Sequence, residues 1–137
     1  MAASSGKYYA EFTPLAVGAT VNIMVGVVQT GFQCNVSDSR FWASFDGHSY
    51  HAVDGNKVIN GSGSSVSYGD SWTVGDVIGV ALDLDAGEIE FYKNNASQGV
   101  ANTGLSGTYH FACASYQSGT KLECNFGQQP FKYGPPE

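Results

Sequence analysis

Apolar residues come in short bursts along this chain, punctuated by Gly, Ser, Asn and Asp, and no useful stretch keeps the period of a helix. The longest burst is residues 77–82, Val-Ile-Gly-Val-Ala-Leu, unbroken by charge. It is too short for a helix, is interrupted by Gly79 and is bounded by turn residues, which predicts a strand buried on both faces. Asp85-Ala86-Gly87 follows, and Ile89, Phe91 and Tyr92 rise in a second strand, so residues 76–95 read as a β-hairpin. Three loop residues ending in Gly suit a type I turn closed by a left-handed residue, because Gly takes positive φ without steric cost. That turn sets Leu84 opposite Glu88 and Phe91 opposite Ala81, with Gly79 and Ala81 leaving room for the Phe91 ring. A tighter two-residue loop instead sets Leu84 opposite Ile89 and Leu82 opposite Phe91. The two registers bury different residues, since a one-residue slip turns every side chain over.

The rest of the chain repeats the pattern. Strands are expected at residues 7–12, 21–28, 49–53, 57–59 and 66–68, with Asp54-Gly55-Asn56 as a turn. Asn94-Asn95-Ala96 is another turn, because Asn tolerates the left-handed region. Residues 109–117 and 120–126 form a last hairpin around Ser118-Gly119, and counting back from it sets Cys113 opposite Cys124. About ten to thirteen short strands in one domain spanning 1–137 imply an all-β fold of two stacked antiparallel sheets, with no substantial helix. The strands at Val25 and Val80 belong inside it.

Composition narrows function. The formal net charge is −6 and Arg40 is the one arginine, which argues against binding a nucleic-acid backbone. No apolar run is long enough to cross a membrane, and residues 1–6 lack the basic and apolar regions of a signal peptide, so a soluble protein is expected. Cys34, Cys113 and Cys124 are an odd number and no disulfide framework, so mostly reduced thiols are expected. The Cα separation of about 5.5 Å at a hydrogen-bonded cross-strand pair does not exclude a Cys113–Cys124 bond. Two small thiols packed side by side is the simpler reading.

Gly6-Lys7-Tyr8-Tyr9-Ala10-Glu11, Val25-Gly26-Val27, Tyr68-Gly69, Gly75-Asp76-Val77-Ile78-Gly79, Leu82-Asp83-Leu84-Asp85-Ala86-Gly87 with Ile89-Glu90-Phe91, and Asn125-Phe126-Gly127 with Pro130-Phe131 follow one another along the chain. In that order they resemble the SPRY domain. The resemblance implies a bent, concanavalin- or jelly-roll-like antiparallel β-sandwich with its termini close together. It also implies a non-catalytic module that binds partners through loops at one edge. The Ser/Gly-rich loops, Ser97-Gln98-Gly99 and residues 103–107 give a narrower likeness to SPRY domains of bacteriophage tail and virion proteins. That likeness implies a virion surface, where the first implies the cytoplasm. Tyr8 or Tyr9 stands where the family often has Trp, and Asn94-Asn95 where it often has Asn-Gly.

Candidate chemistry is sparse. Asp83, Asp85, Glu88 and Glu90 cluster at the hairpin turn but fail as a calcium loop, since Gly87 and Asn94 stand at ligand positions. His48, His51 and His110 lack metal-spaced partners. No nucleophile elbow, Walker loop or zincin motif occurs, so no enzyme, cofactor or metal is expected. A ligand-binding set is expected in Phe41, Trp42, Asp46, His48, Tyr50 and His51, with Tyr116 beside it, because loop aromatics bury large area at low entropy cost. Trp72 is assigned to the core. The reading is a protein- or peptide-binding module working through end loops. The alternative is a lectin-like adhesion or decoration domain binding host-surface glycan, assembled within a larger virion or multidomain protein.

Overall fold

The computed structural model describes residues 2–30, 47–59 and 65–136. Among them lie ten strands and no helix: β1 (Lys7–Ala16), β2 (Ile23–Gln29), β3 (Gly47–His51), β4 (Lys57–Ile59), β5 (Ser65–Val66), β6 (Ile78–Asp83), β7 (Glu88–Lys93), β8 (Ala96–Asn102), β9 (Tyr109–Ser115) and β10 (Lys121–Asn125). They form two antiparallel sheets, ordered β10-β1-β6-β7-β8 and β5-β4-β3-β2-β9. One continuous core joins the sheets, so they are stacked as a sandwich. Phe12, Val80, Ile89 and Phe91 enter it from the first sheet, and Val25, Val27 and Tyr50 from the second. Each such side chain contributes about 1.5–3 kcal/mol by leaving water.

Period-two alternation explains β1. Tyr8, Ala10 and Phe12 pair with Leu82, Val80 and Ile78 on the core face, while Tyr9 and Glu11 pair with Ala81 and Gly79 on the other. The small residues of β6 make room for Tyr9, because a Cβ at Gly79 would lie 2.5 Å from the Tyr9 hydroxyl.

The central hairpin exists, but in neither expected register. Asp83 pairs with Glu88, Leu82 with Ile89 and Val80 with Phe91, across a four-residue loop. The Asp83 carboxylate causes this by accepting the N–H groups of Asp85 (3.1 Å) and Ala86 (3.0 Å), an Asx turn that draws Leu84 into the loop. Leu84 N–H then donates to Gly6 O at 2.9 Å, and Gly87 closes the turn at φ 70°. The tighter reading placed the right residues on the core face, two positions out of step; the wider one turned them over.

The expected last hairpin is also corrected. β9 pairs with β2 and β10 with β1, so residues 116–120 cross from one sheet to the other. The apolar face of each strand finds a deeper partner this way: Phe111 and Cys113 lie opposite Val27 and Val25, and Leu122 and Cys124 opposite Pro14 and Phe12. The crossover packs tightly, since a Cβ at Gly18 would sit 2.4 Å from Ser118 O. β8 was not foreseen. Its one well-buried residue is Ala101, and its pairing with β7 is irregular, so it carries no alternation to read.

Both ends of the described chain return to the sheets. Ala3 bridges Tyr109. The C-terminal tail is held by Glu11, whose carboxylate accepts from the N–H groups of Lys132 (2.8 Å), Tyr133 (2.9 Å) and Gly134 (3.1 Å). Pro135 and Pro136 then line a groove together with Lys7.

Candidate partner-binding end of the sandwich

At one end of the sandwich, backbone hydrogen bonds tie several loops together. Ala52 N–H donates to Ile23 O, Trp72 N–H to Ala52 O (both 2.9 Å), and Tyr116 N–H to Asn22 O at 3.1 Å. The Asn22 side chain completes the junction. Its Oδ1 lies 2.8 Å from His51 Nε2, while His51 Nδ1 lies 3.2 Å from Asp54 Oδ1. Burial lowers the His51 pKa below its usual value, and the opposing charge and hydrogen bond of Asp54 do not make up the difference. His51 thus bridges Asn22 and Asp54 and positions the loops at this end.

The turn after β3 is the expected one. Asp54 Oδ1 accepts Asn56 N–H at 3.0 Å, and Gly55 takes φ 71°. It presents Val53, which is 51% exposed, beside a cleft of about 320 Å³ whose walls include Val21, Trp72, Thr73 and Lys93. Beyond Asn22, Tyr116 is 55% exposed. The far wall is braced. Lys93 Nζ donates to Ser71 O at 2.8 Å, Asp76 Oδ2 accepts Thr73 N–H at 2.9 Å, and Asp76 Oδ1 accepts Asn94 Nδ2 at 2.9 Å. These bonds hold the cleft preformed, which lowers the ordering cost of binding.

The structure divides the expected set. His51 and Tyr116 come together around Asn22. His48 does not join them: it is buried near the start of β3, on the core face, with its ring 6.2 Å from that of Tyr109. Tyr50 is corrected to a core residue. It is fully buried, its ring lies 5.3 Å from Phe91, 5.4 Å from Tyr68 and 5.8 Å from Trp72, and its hydroxyl donates to Asp70 O. Burial raises the Tyr50 pKa, so the hydroxyl stays protonated. The reason is register: Tyr50 pairs with Val25 and shares its inward face. Phe41, Trp42 and Asp46 lie outside the described residues. Val53 and the cleft beside it were missed; an apolar residue abutting the Asp54-Gly55-Asn56 turn was the available signal.

The hairpin carboxylates do structural work. Asp83 pairs with Lys7 at 3.2 Å besides capping its turn, and Asp85 Oδ1 accepts Gly6 N–H at 2.8 Å. Glu90 accepts the hydroxyls of Tyr92 (2.8 Å) and Ser97 (2.6 Å). Among the described residues no three His, Cys, Asp or Glu converge as a metal site, and no helix is long and apolar enough to cross a membrane.

The sheets are stacked as an antiparallel sandwich, and the SPRY domain family model matches residues 7–129. The chain belongs to the SPRY domain family. It is similar to the E3 ubiquitin-protein ligase RKP of Arabidopsis thaliana, 40% identical over 115 residues that cover 79% of this chain and 9% of that protein. It is also similar to Ran-binding protein 10 of Danio rerio, 33% identical over 133 residues, 96% of this chain and 21% of that protein. Among solved structures it resembles the SPRY domain of human HERC1, with TM-score 0.74 and 22% identity over 95% of this chain and 80% of that one. A second human SPRY domain gives TM-score 0.72 and 20% identity, covering 94% of this chain and 86% of that one. The chain therefore spans a small part of these curated relatives, and it is a protein-interaction module by family. These relatives are plant and animal proteins, and the virion and glycan expectations gain no support from them.

Proposed function

We propose that this domain recruits a protein partner by receiving a short segment of it at the end of the sandwich marked by Val53, His51 and Tyr116. The observation that carries this is the pairing of exposed apolar groups with a braced, preformed cleft at that end. A cleft of about 320 Å³ stands at the lower limit of small ligand pockets, room for one or two apolar side chains of an extended segment. Val21 and Val53 supply the apolar contact over the nearly buried Trp72. By analogy with the large relatives in which such a domain is a minor fraction, it works as the recognition part of a larger polypeptide.

Selection of binders from a random peptide library on the wild-type domain, followed by titration of the best peptide, tests this. Tyr116→Ala and Val53→Glu should each weaken binding at least about tenfold, the scale of a modest hot spot, with Tm unchanged. Peptides that bind both variants like the wild type would place the site elsewhere. Binding on a glycan array, with no peptide selected, would restore the lectin reading.

A further inference from the structure

The edge where the two sheets meet carries a matched row of side chains. β9 is the edge strand of one sheet and β10 the edge strand of the other. Phe111 and Cys113 share the inward face with Val27 and Val25, and Cys124 shares it with Phe12 from the opposite sheet. The Phe111 ring stands 6.1 Å from that of Phe126. One step along, Cys113 Sγ lies 3.7 Å from Cys124 Sγ, and both are free thiols. A cavity of about 440 Å³, lined by Tyr8, Tyr9, Phe111 and Phe126, opens in the same edge region.

We propose that Cys113 and Cys124 are a reversible oxidation site, forming a disulfide that fastens the β9 edge of one sheet to the β10 edge of the other. The sulfurs already touch, and each sits on the edge strand of its sheet, β9 being bridged on its outer side only at Tyr109, so the backbone around the cysteines can yield as the bond closes. The crossover of residues 116–120 joins these strands, so the bond would close a short loop and also clamp the open side of the core. Solvent reaches part of Cys113, which admits a small oxidant, although its sulfur packs against Cys124.

With glutathione disulfide as oxidant the chemistry balances. One cysteine thiolate attacks the oxidant's S–S bond and releases one glutathione thiolate. The second cysteine, as thiolate, attacks the mixed disulfide and releases the other. Two electrons pass from the cysteine pair to the oxidant, and the two protons lost by the cysteines are taken up by the released thiolates. Partial burial, with Cys124 alongside, pushes the Cys113 thiol up to about 12, so exchange through it is slow at neutral pH.

The test uses the full chain with Cys34→Ser as background, incubated folded in a graded series of glutathione buffers. Cleavage after Lys121 separates the two cysteines, so peptide mass mapping reads the bond directly. The expected result is a linked Cys113–Cys124 peptide lighter by two hydrogen masses, reversed by dithiothreitol, and a Tm higher by roughly 5 °C or more. Adding Cys124→Ser should abolish both. Glutathione adducts on either cysteine with no internal link, thiols left unmodified across the series, or a link found only after denaturation would overturn the proposal.

Discussion

Tyr50 and Tyr116 look alike in the chain, as aromatic residues close to turns, and burial gives them opposite roles. Tyr50 is packed by Phe91, Tyr68 and Trp72 and donates to the Asp70 carbonyl. Removing its hydroxyl in Tyr50→Phe should cost about 1–2 kcal/mol by leaving a carbonyl unpaired. Tyr50→Ala should cost about 3–5 kcal/mol by opening a cavity. Tyr116→Ala, at a half-exposed position, should cost far less than Tyr50→Ala. Urea unfolding of the three variants measures this; a Tyr116 cost equal to that of Tyr50→Ala would refute the division. Glu11 teaches the same lesson among charges. It lies on a strand, is buried and holds three N–H groups of a tail more than a hundred positions away. Sequence distance hid that role.

At the scale of elements, the β7–β8 turn shows a local rule that was legible. Asn94 and Asn95 take φ 50° and 69°, the positive values a two-residue hairpin loop requires. Asn94 does more than turn. Its Oδ1 accepts Val77 N–H at 2.9 Å and its Nδ2 reaches Asp76, so the turn braces the loop under the cleft. Asn94→Ala should therefore cost about 2 kcal/mol, from lost bonds and from a positive φ with a Cβ. Asn94→Gly should recover the backbone part alone. Hydrogen exchange at the Val77 amide should quicken in both; equal stability of the two variants would show that φ carries no cost there. Turn positions could be read because Gly, Asn and Asp act locally, whereas the register of the central hairpin could not. The Asp83 carboxylate decided it by capping two N–H groups, and an acidic residue before a turn looks the same whether or not it caps.

On the scale of the molecule, His51 and Glu11 are among the described residues that make stability depend on pH. His51 binds a proton less readily folded than unfolded, because burial lowers its pKa below 6.5. Stability is then full above about pH 6.5 and falls as pH drops through that value toward the folded pKa. For Glu11 burial would raise the pKa, but the tail N–H groups of Tyr133, Lys132 and Gly134, with the Tyr9 hydroxyl, outweigh it and hold the pKa below 4.5. Its contribution is present above 4.5 and lost as pH falls through the folded value, when the tail should detach. A Tm profile from pH 8 to 3 should fall in two stages. His51→Gln should flatten the first, and Glu11→Gln should shrink the second while raising protease cleavage of residues 126–136 at neutral pH. An unchanged first stage in His51→Gln would remove His51 as its cause.

By itself the sequence determined the all-β class, the central hairpin, the buried strands at Val25 and Val80, and the turns at Asp54-Gly55-Asn56 and Asn94-Asn95. Alternation, apolar runs and turn chemistry act within a few residues, so they can be read along the chain. The tertiary structure alone decided which strands pair and what the ends of the sandwich present. β9 and β10 are neighbours in sequence yet join different sheets, because each buries its apolar face better against β2 or β1 than against the other. That choice set Cys113 against Cys124 across the sandwich edge rather than along a hairpin, and placed Tyr116 at the crossover beside Asn22 and His51. Pairing over such distances depends on the summed burial of whole faces, which no local window of residues contains.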